Sequence, residues 1–125
     1  MRTKEQKRSQ YALQMLEEMF GVHVDPDPAN FIVGVPTMVL TNGIGQTMAF
    51  LMFKKKEKKH LNVFKIIQGW LQQEIPELKT ESNIDFLKKF STLNQKEYLT
   101  AQQESLAMLQ WLKRYARAFE KEKGV

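Results

Sequence analysis

The sequence predicts an all-α protein, a compact bundle of five or six helices with a long C-terminal helix. Three observations carry that expectation. Apolar residues recur at three- and four-residue spacings along most of the chain. Glycine and proline together make up about 8% of the 125 residues, below the usual background of about 12%, which disfavours turn-dense β folds. Only 31–35 and 38–40 read as strand, and both runs are short. The length fits one domain spanning 1–125.

Taken in order, the segment 3–20 carries Ala12, Met15, Leu16, Met19 and Phe20 on one helical face, with Gly21 placed to cap its end. VHVDPDPAN, residues 22–30, holds two prolines that push their preceding residues away from helical dihedrals, so it is expected as a loop. Asn30 or Asp27 then caps a short helix through Phe31, Ile32, Val35, Val39 and Leu40, with Pro36 in its first turn or at a kink. The cluster TNGIG, 41–45, breaks that helix, and 46–53 follows as a segment apolar nearly all round, the mark of a central helix. KKKEKKH, 54–60, carries five lysines against one glutamate and marks a solvated turn or helix end. Leu61, Phe64, Ile67, Trp70, Leu71 and Ile75 resume helical spacing until Pro76, and Ile84, Phe86, Leu87 and Phe90 predict a further short helix. From about Asn94 to Lys123 there is neither glycine nor proline, and Tyr98, Ala101, Ser105, Met108, Leu109, Leu112, Ala116 and Phe119 draw one face. A helix of ~29 residues would span about 43 Å.

The absence of cysteine excludes disulfide scaffolds, thiolate metal sites and cysteine nucleophiles. His23 and His60 lie in different segments with no acid spaced to orient either, and no helical His pair brackets a glutamate. No catalytic residue, metal site, cofactor or small-molecule substrate is therefore expected. Asp25 and Asp27 alternate with prolines and read as loop residues. Asn42 to Thr47 resembles a phosphate loop only in its glycines; it lacks the glycine spacing, the lysine and the preceding strand. Gly43 and Gly45 instead let the chain reverse between two helices at close range, with Asn42 capping an end. Met15, Met19, Met48 and Met108, with Trp70 and Trp111, fall at core spacings. No apolar run approaches the ~20 residues of a membrane span, and MRTKEQKRSQ is too polar for a signal peptide, so a cytoplasmic protein without membrane partners is expected.

Lysine and arginine outnumber acids by 19 to 14, a net charge of +5. The excess is clustered: four basic residues against one acid in 1–10, five against one in 54–60, and five against two in 113–123, while 71–104 carries four against six. Lys113, Arg114, Arg117 and Lys121 line one side of the last helix, displaced from its apolar face. Arg2, Lys4, Lys7 and Arg8 crowd the start of the first helix, where the macrodipole prefers acids. The cost is at most about 1 kcal/mol per charge, less than several phosphate contacts would return, so a polyanionic partner is a sufficient cause, with a solvated helix surface as the alternative.

Three blocks then identify a family. Arg2-Thr3-Lys4 with Gln6 and Ala12, the central PTMVLTNGIGQTMAFL of 36–51, and Tyr98-Leu99-Thr100 followed by ESLAMLQWLKRYARA of 104–118 resemble the small α-helical subunit of the type III-B CRISPR (Cmr) RNA-guided effector complex. Ile44, Ser105 and Tyr115 stand where Leu, Ala and Phe are common, and the lysine run after Phe53 is longer than in the family's pattern. The resemblance implies a non-catalytic subunit of antiviral defence that stacks with copies of itself beside the backbone subunits and helps hold guide RNA and target RNA. It implies phosphate contacts at Lys113, Arg114 and Arg117, with Arg2, Lys4, Lys54 and Lys55 behind them. Such contacts position RNA while guide pairing supplies specificity. The alternatives are a stand-alone helical nucleic-acid-binding protein, a protein–protein adaptor without RNA contact, and a small metal-independent ribonuclease built on His60.

Overall fold

The computed structural model describes residues 1–122. It comprises α1 (Lys4–Phe20), α2 (Pro26–Phe53), α3 (Lys58–Glu74), a 3-10 turn (Pro76–Leu78), α4 (Asn83–Phe90) and α5 (Gln95–Ala118). The expected all-α class is observed, and both strand candidates lie within α2.

Local chemistry sets the boundaries. At the start of α1 the Thr3 hydroxyl accepts from Gln6 N–H while the Gln6 side chain accepts from Thr3 N–H, and Asn94 with Glu97 repeats this reciprocal cap on α5. Gly21 ends α1 at φ 89°, ψ 173°, a region essentially restricted to glycine. The 22–30 loop is shorter than expected, because α2 already begins at Pro26. The first-turn N–H groups have no helical partner, so Pro26 and Pro28 forfeit no hydrogen bond there and preset the backbone for helix.

Within α2 the single residue Gly43 leaves helical geometry, at φ 84°, ψ 158°. The break is a reversal. Phe31 and Phe50, 19 residues apart, would stand about 28 Å apart on one straight helix. Their ring centroids instead lie 4.2 Å and 5.6 Å from the His60 ring. The arms 26–42 and 44–53 therefore fold back on one another, and counting them separately gives six helices. The expected breaker of five residues is compressed into one.

Gln102 and Tyr98 of α5 secure this bend. Gln102 accepts from Ile44 N–H at 2.8 Å and donates to the Val39 carbonyl at 3.1 Å, spanning the break with one amide. Gly45 N–H donates to the Tyr98 hydroxyl at 3.2 Å, and the Thr47 hydroxyl donates to the Gly43 carbonyl at 2.8 Å. A Cβ on Gly43 would stand 2.9 Å from the Tyr98 hydroxyl, so contact as well as conformation requires glycine.

α5 is the spine. Ala101, Ser105, Met108, Leu109, Leu112 and Ala116 are buried on the face anticipated from the spacing. All of these except Ser105 join one apolar cluster with Leu16, Ile32, Val39, Ile44, Phe64, Trp70 and Phe86. α1 runs parallel to α5: Glu5 accepts from the Trp111 indole, Ser9 bonds the Tyr115 hydroxyl, and Leu13 and Phe119 line one cleft. α5 ends at Ala118, for a length of about 36 Å, because the next residues pair with the α1–α2 connection. Val24 N–H donates to the Phe119 carbonyl and Lys121 N–H donates to the Val24 carbonyl. Lys123, the expected limit of the helix, lies outside the described residues.

Candidate nucleic-acid interface

The basic residues divide by what they already hold. Lys113 and Arg114 make no ion pair among the described residues, Lys113 half-buried and Arg114 exposed. Arg117 lies one turn beyond Lys113 and pairs with Glu120 at 2.7 Å, keeping its side chain about half exposed. Lys121, the last of the stripe, is held by Asp25 at 2.9 Å. At 100° per residue Lys113 and Arg117 point in nearly the same direction, with Arg114 about 60° further round from Arg117.

Arg2 is exposed, unpaired among the described residues, and shares a shallow cleft with Glu5, Ser9, Leu13 and Trp111. Trp111 is one turn before Arg114, so the fold brings the first residues of the chain beside the basic half of α5. Lys4 pairs with Glu74 at the end of α3. Lys54 sits 3.7 Å from Glu57, and Lys55 is exposed on the same connection without a partner among the described residues. Asp27 holds Lys59 at 2.8 Å while Asp25, two residues earlier, holds Lys121. Those two acids draw the lysine run and the end of α5 to one end of the molecule. The acids read as loop residues thus serve as ion-pair partners, and no group of three metal-ligating side chains occurs among the described residues.

Sequence reasoning missed the acids that account for part of the positive start of α1. Arg8 grips Glu104 of α5 through Nε at 3.1 Å and Nη2 at 2.7 Å, and its Nη1 reaches Glu5 at 2.7 Å. Trp70 of α3 donates to the same Glu104 carboxylate at 3.1 Å. Burial pushes the Glu104 pKa up, but hydrogen bonds from Arg8 and Trp70 and the nearby positive charge outweigh it and hold the carboxyl below its ordinary value. Inter-helix pairing, rather than a polyanion, explains Arg8 fully and Lys4 in part. The signal was present in the 71–104 acidic excess, which contains Glu74 and Glu104, but spacing alone does not reveal which helices meet.

Tyr11 donates to the Ile66 carbonyl at 2.6 Å, and burial raises its pKa. His60 is also interior: its side chain is 8% exposed, packed against Phe31 and Phe50, with Nδ1 lacking a hydrogen-bond partner and 4.0 Å from Glu57. Burial lowers its pKa, and the opposing pull of Glu57 does not restore it. The ribonuclease alternative loses the accessible imidazole it requires. Trp70 is core, as expected, whereas Trp111 is half-buried and stacks on Tyr115 at 5.9 Å. The arm 44–53 is less enclosed than its composition predicts, with Phe50 37% and Phe53 80% exposed.

These features define an all-helical protein that presents partly unpaired cations along a rigid spine, and no helix among the described residues is long and apolar enough to cross a membrane. Residues 4–119 match the family described as CRISPR-associated protein (Cas_Cmr5). The chain belongs to that family, the small subunits of the type III-B Cmr complex.

Proposed function

We propose that this chain acts as one helical domain over residues 1–125, as a non-catalytic small subunit stacking with copies of itself beside the backbone subunits of a cytoplasmic RNA-guided complex. Its basic surface helps hold guide and target RNA in antiviral defence, without cofactor or small-molecule substrate. Family membership supports the assembly partners. The observation that carries the RNA contact is the position of Lys113 and Arg114, which have no ion-pair partner among the described residues and project from a helix fixed against α1, α2 and α3. Arg117 and Arg2 extend the surface, and Lys4, Lys54 and Lys55 flank it. An internal carboxylate partner competes with phosphate, so Lys113, Arg114 and Arg2 contribute more than Lys4, Lys54 or Arg117.

Cross-linking tests this reading. With 4-thiouridine in the target strand of the assembled complex, irradiation is expected to attach RNA to peptides containing residues 110–118. Cross-links confined to other subunits, in a complex that retains this chain, would favour the adaptor without RNA contact.

A further inference from the structure

We propose that Phe53 is a base-stacking platform for single-stranded RNA, and that Lys55, Lys56 and Lys58 hold the phosphates on either side of the stacked base. The proposal rests on the RNA-holding function above but concerns the tip that follows α2, and its four residues share only Lys55 with those placed in that function. Phe53 is the last residue of α2 and is 80% exposed, although it ends an arm whose Ile44, Met48 and Leu51 are fully buried. Five lysines follow within six residues. Lys59 is committed to Asp27 and lies 5.7 Å over the Phe31 ring, and Lys54 is engaged by Glu57. Lys55, Lys56 and Lys58 are exposed and have no ion pair among the described residues.

The tip carrying these groups is built. Lys54 N–H donates to the Phe50 carbonyl, Lys55 N–H to Met52, Glu57 N–H to Lys54 and His60 N–H to Glu57, at 2.9 to 3.1 Å. Phe50 is anchored by edge contact with His60, which also packs on Phe31 of the opposite arm. An aromatic ring on such a support binds with little loss of freedom.

Charge selects the occupant. Protein interfaces are depleted in lysine, whose flexible ammonium is costly to immobilise, whereas phosphates accept it as a point charge. An exposed ring followed within five residues by three unpaired lysines matches an unpaired base with its flanking phosphates, the combination used in sequence-independent single-strand binding. A duplex offers no open base face to the ring.

The test titrates the full chain, at low salt, into short single-stranded RNA carrying a central 2-aminopurine, and into the same RNA as a duplex. The native chain is expected to quench the single strand. Phe53→Ala should lose the quench and about 5- to 150-fold in affinity with an unchanged salt slope, and Phe53→Trp should restore both. Replacing Lys55, Lys56 and Lys58 by Gln should flatten the salt slope by about 0.7 for each phosphate no longer neutralised. Phe53 is exposed enough that these variants keep the fold. Absence of binding by the native chain, or equal quench and affinity in Phe53→Ala, overturns the proposal. So does a Phe53→Ala chain that binds RNA normally but fails to enter the complex, which would mark a protein contact. A Phe53-dependent quench that persists while alanines at Lys113, Arg114 and Arg117 change nothing supports the tip and instead removes the α5 interface.

Discussion

Glu104 joins three helices through one carboxylate, taking Arg8 from α1 and Trp70 from α3. Its side chain is 13% exposed and that of Arg8 16%, so removing the carboxylate leaves a largely buried guanidinium short of a partner. Glu104→Ala should cost about 2 kcal/mol in urea denaturation at neutral pH. Because its folded pKa is depressed, this stabilisation is present above the ordinary carboxylate range and is lost as pH falls through the folded value. His60 is a base held neutral by burial, with its folded pKa below 6.5. Between the folded value and 6.5 the unfolded chain binds more protons, so stability declines as pH drops below about 6.5. His60→Phe should remove that component of the pH dependence, read from denaturation midpoints at pH 7.5 and 5.5; an identical pH profile would contradict the neutral interior imidazole. Single residues of this kind were the least readable in the sequence. Glu104 is one polar position on an amphipathic face until the identity of the helix beside it is known.

At the scale of elements, periodicity located α1, α3, α4 and the buried face of α5, because each buries a single stripe. α2 was harder. Apolar residues also lie off its buried stripes, Leu40, Phe50 and Phe53 being exposed, which blurs the pattern, and proline reads as a loop signal although the first turn of a helix accepts it. The bend was readable from Gly43 and Gly45, but its fixings were not, since Gln102 and Tyr98 lie more than fifty residues away. Gly43→Ala must adopt a backbone region that side chains avoid and approach the Tyr98 hydroxyl at 2.9 Å. It should destabilise the fold by at least about 2 kcal/mol. Gln102→Ala keeps the backbone permissive but removes both bonds across the break, for an expected loss of about 1 to 2 kcal/mol. Thermal denaturation of the two variants checks the order, Gly43→Ala being the more severe.

For the whole molecule, clustered charge was the informative sequence signal, and the fold refines what it means. Of the residues implied as phosphate contacts, Lys4, Lys54 and Arg117 face acids of the same chain, while Arg2, Lys55, Lys113 and Arg114 have no such partner among the described residues. The candidate interface was thus readable as a set of cations, and the internal acids that rank them were not. The most direct test is the salt dependence of target-RNA binding by the assembled, guide-containing complex, with the native chain and with Lys113, Arg114 and Arg117 replaced by alanine, assembly being verified for both. Without these cations on the phosphates, binding should weaken and the logarithmic salt slope should flatten by about 2 to 3 across the three positions. Coincident curves from two intact complexes would contradict the account and leave a solvated helix face on a protein–protein adaptor.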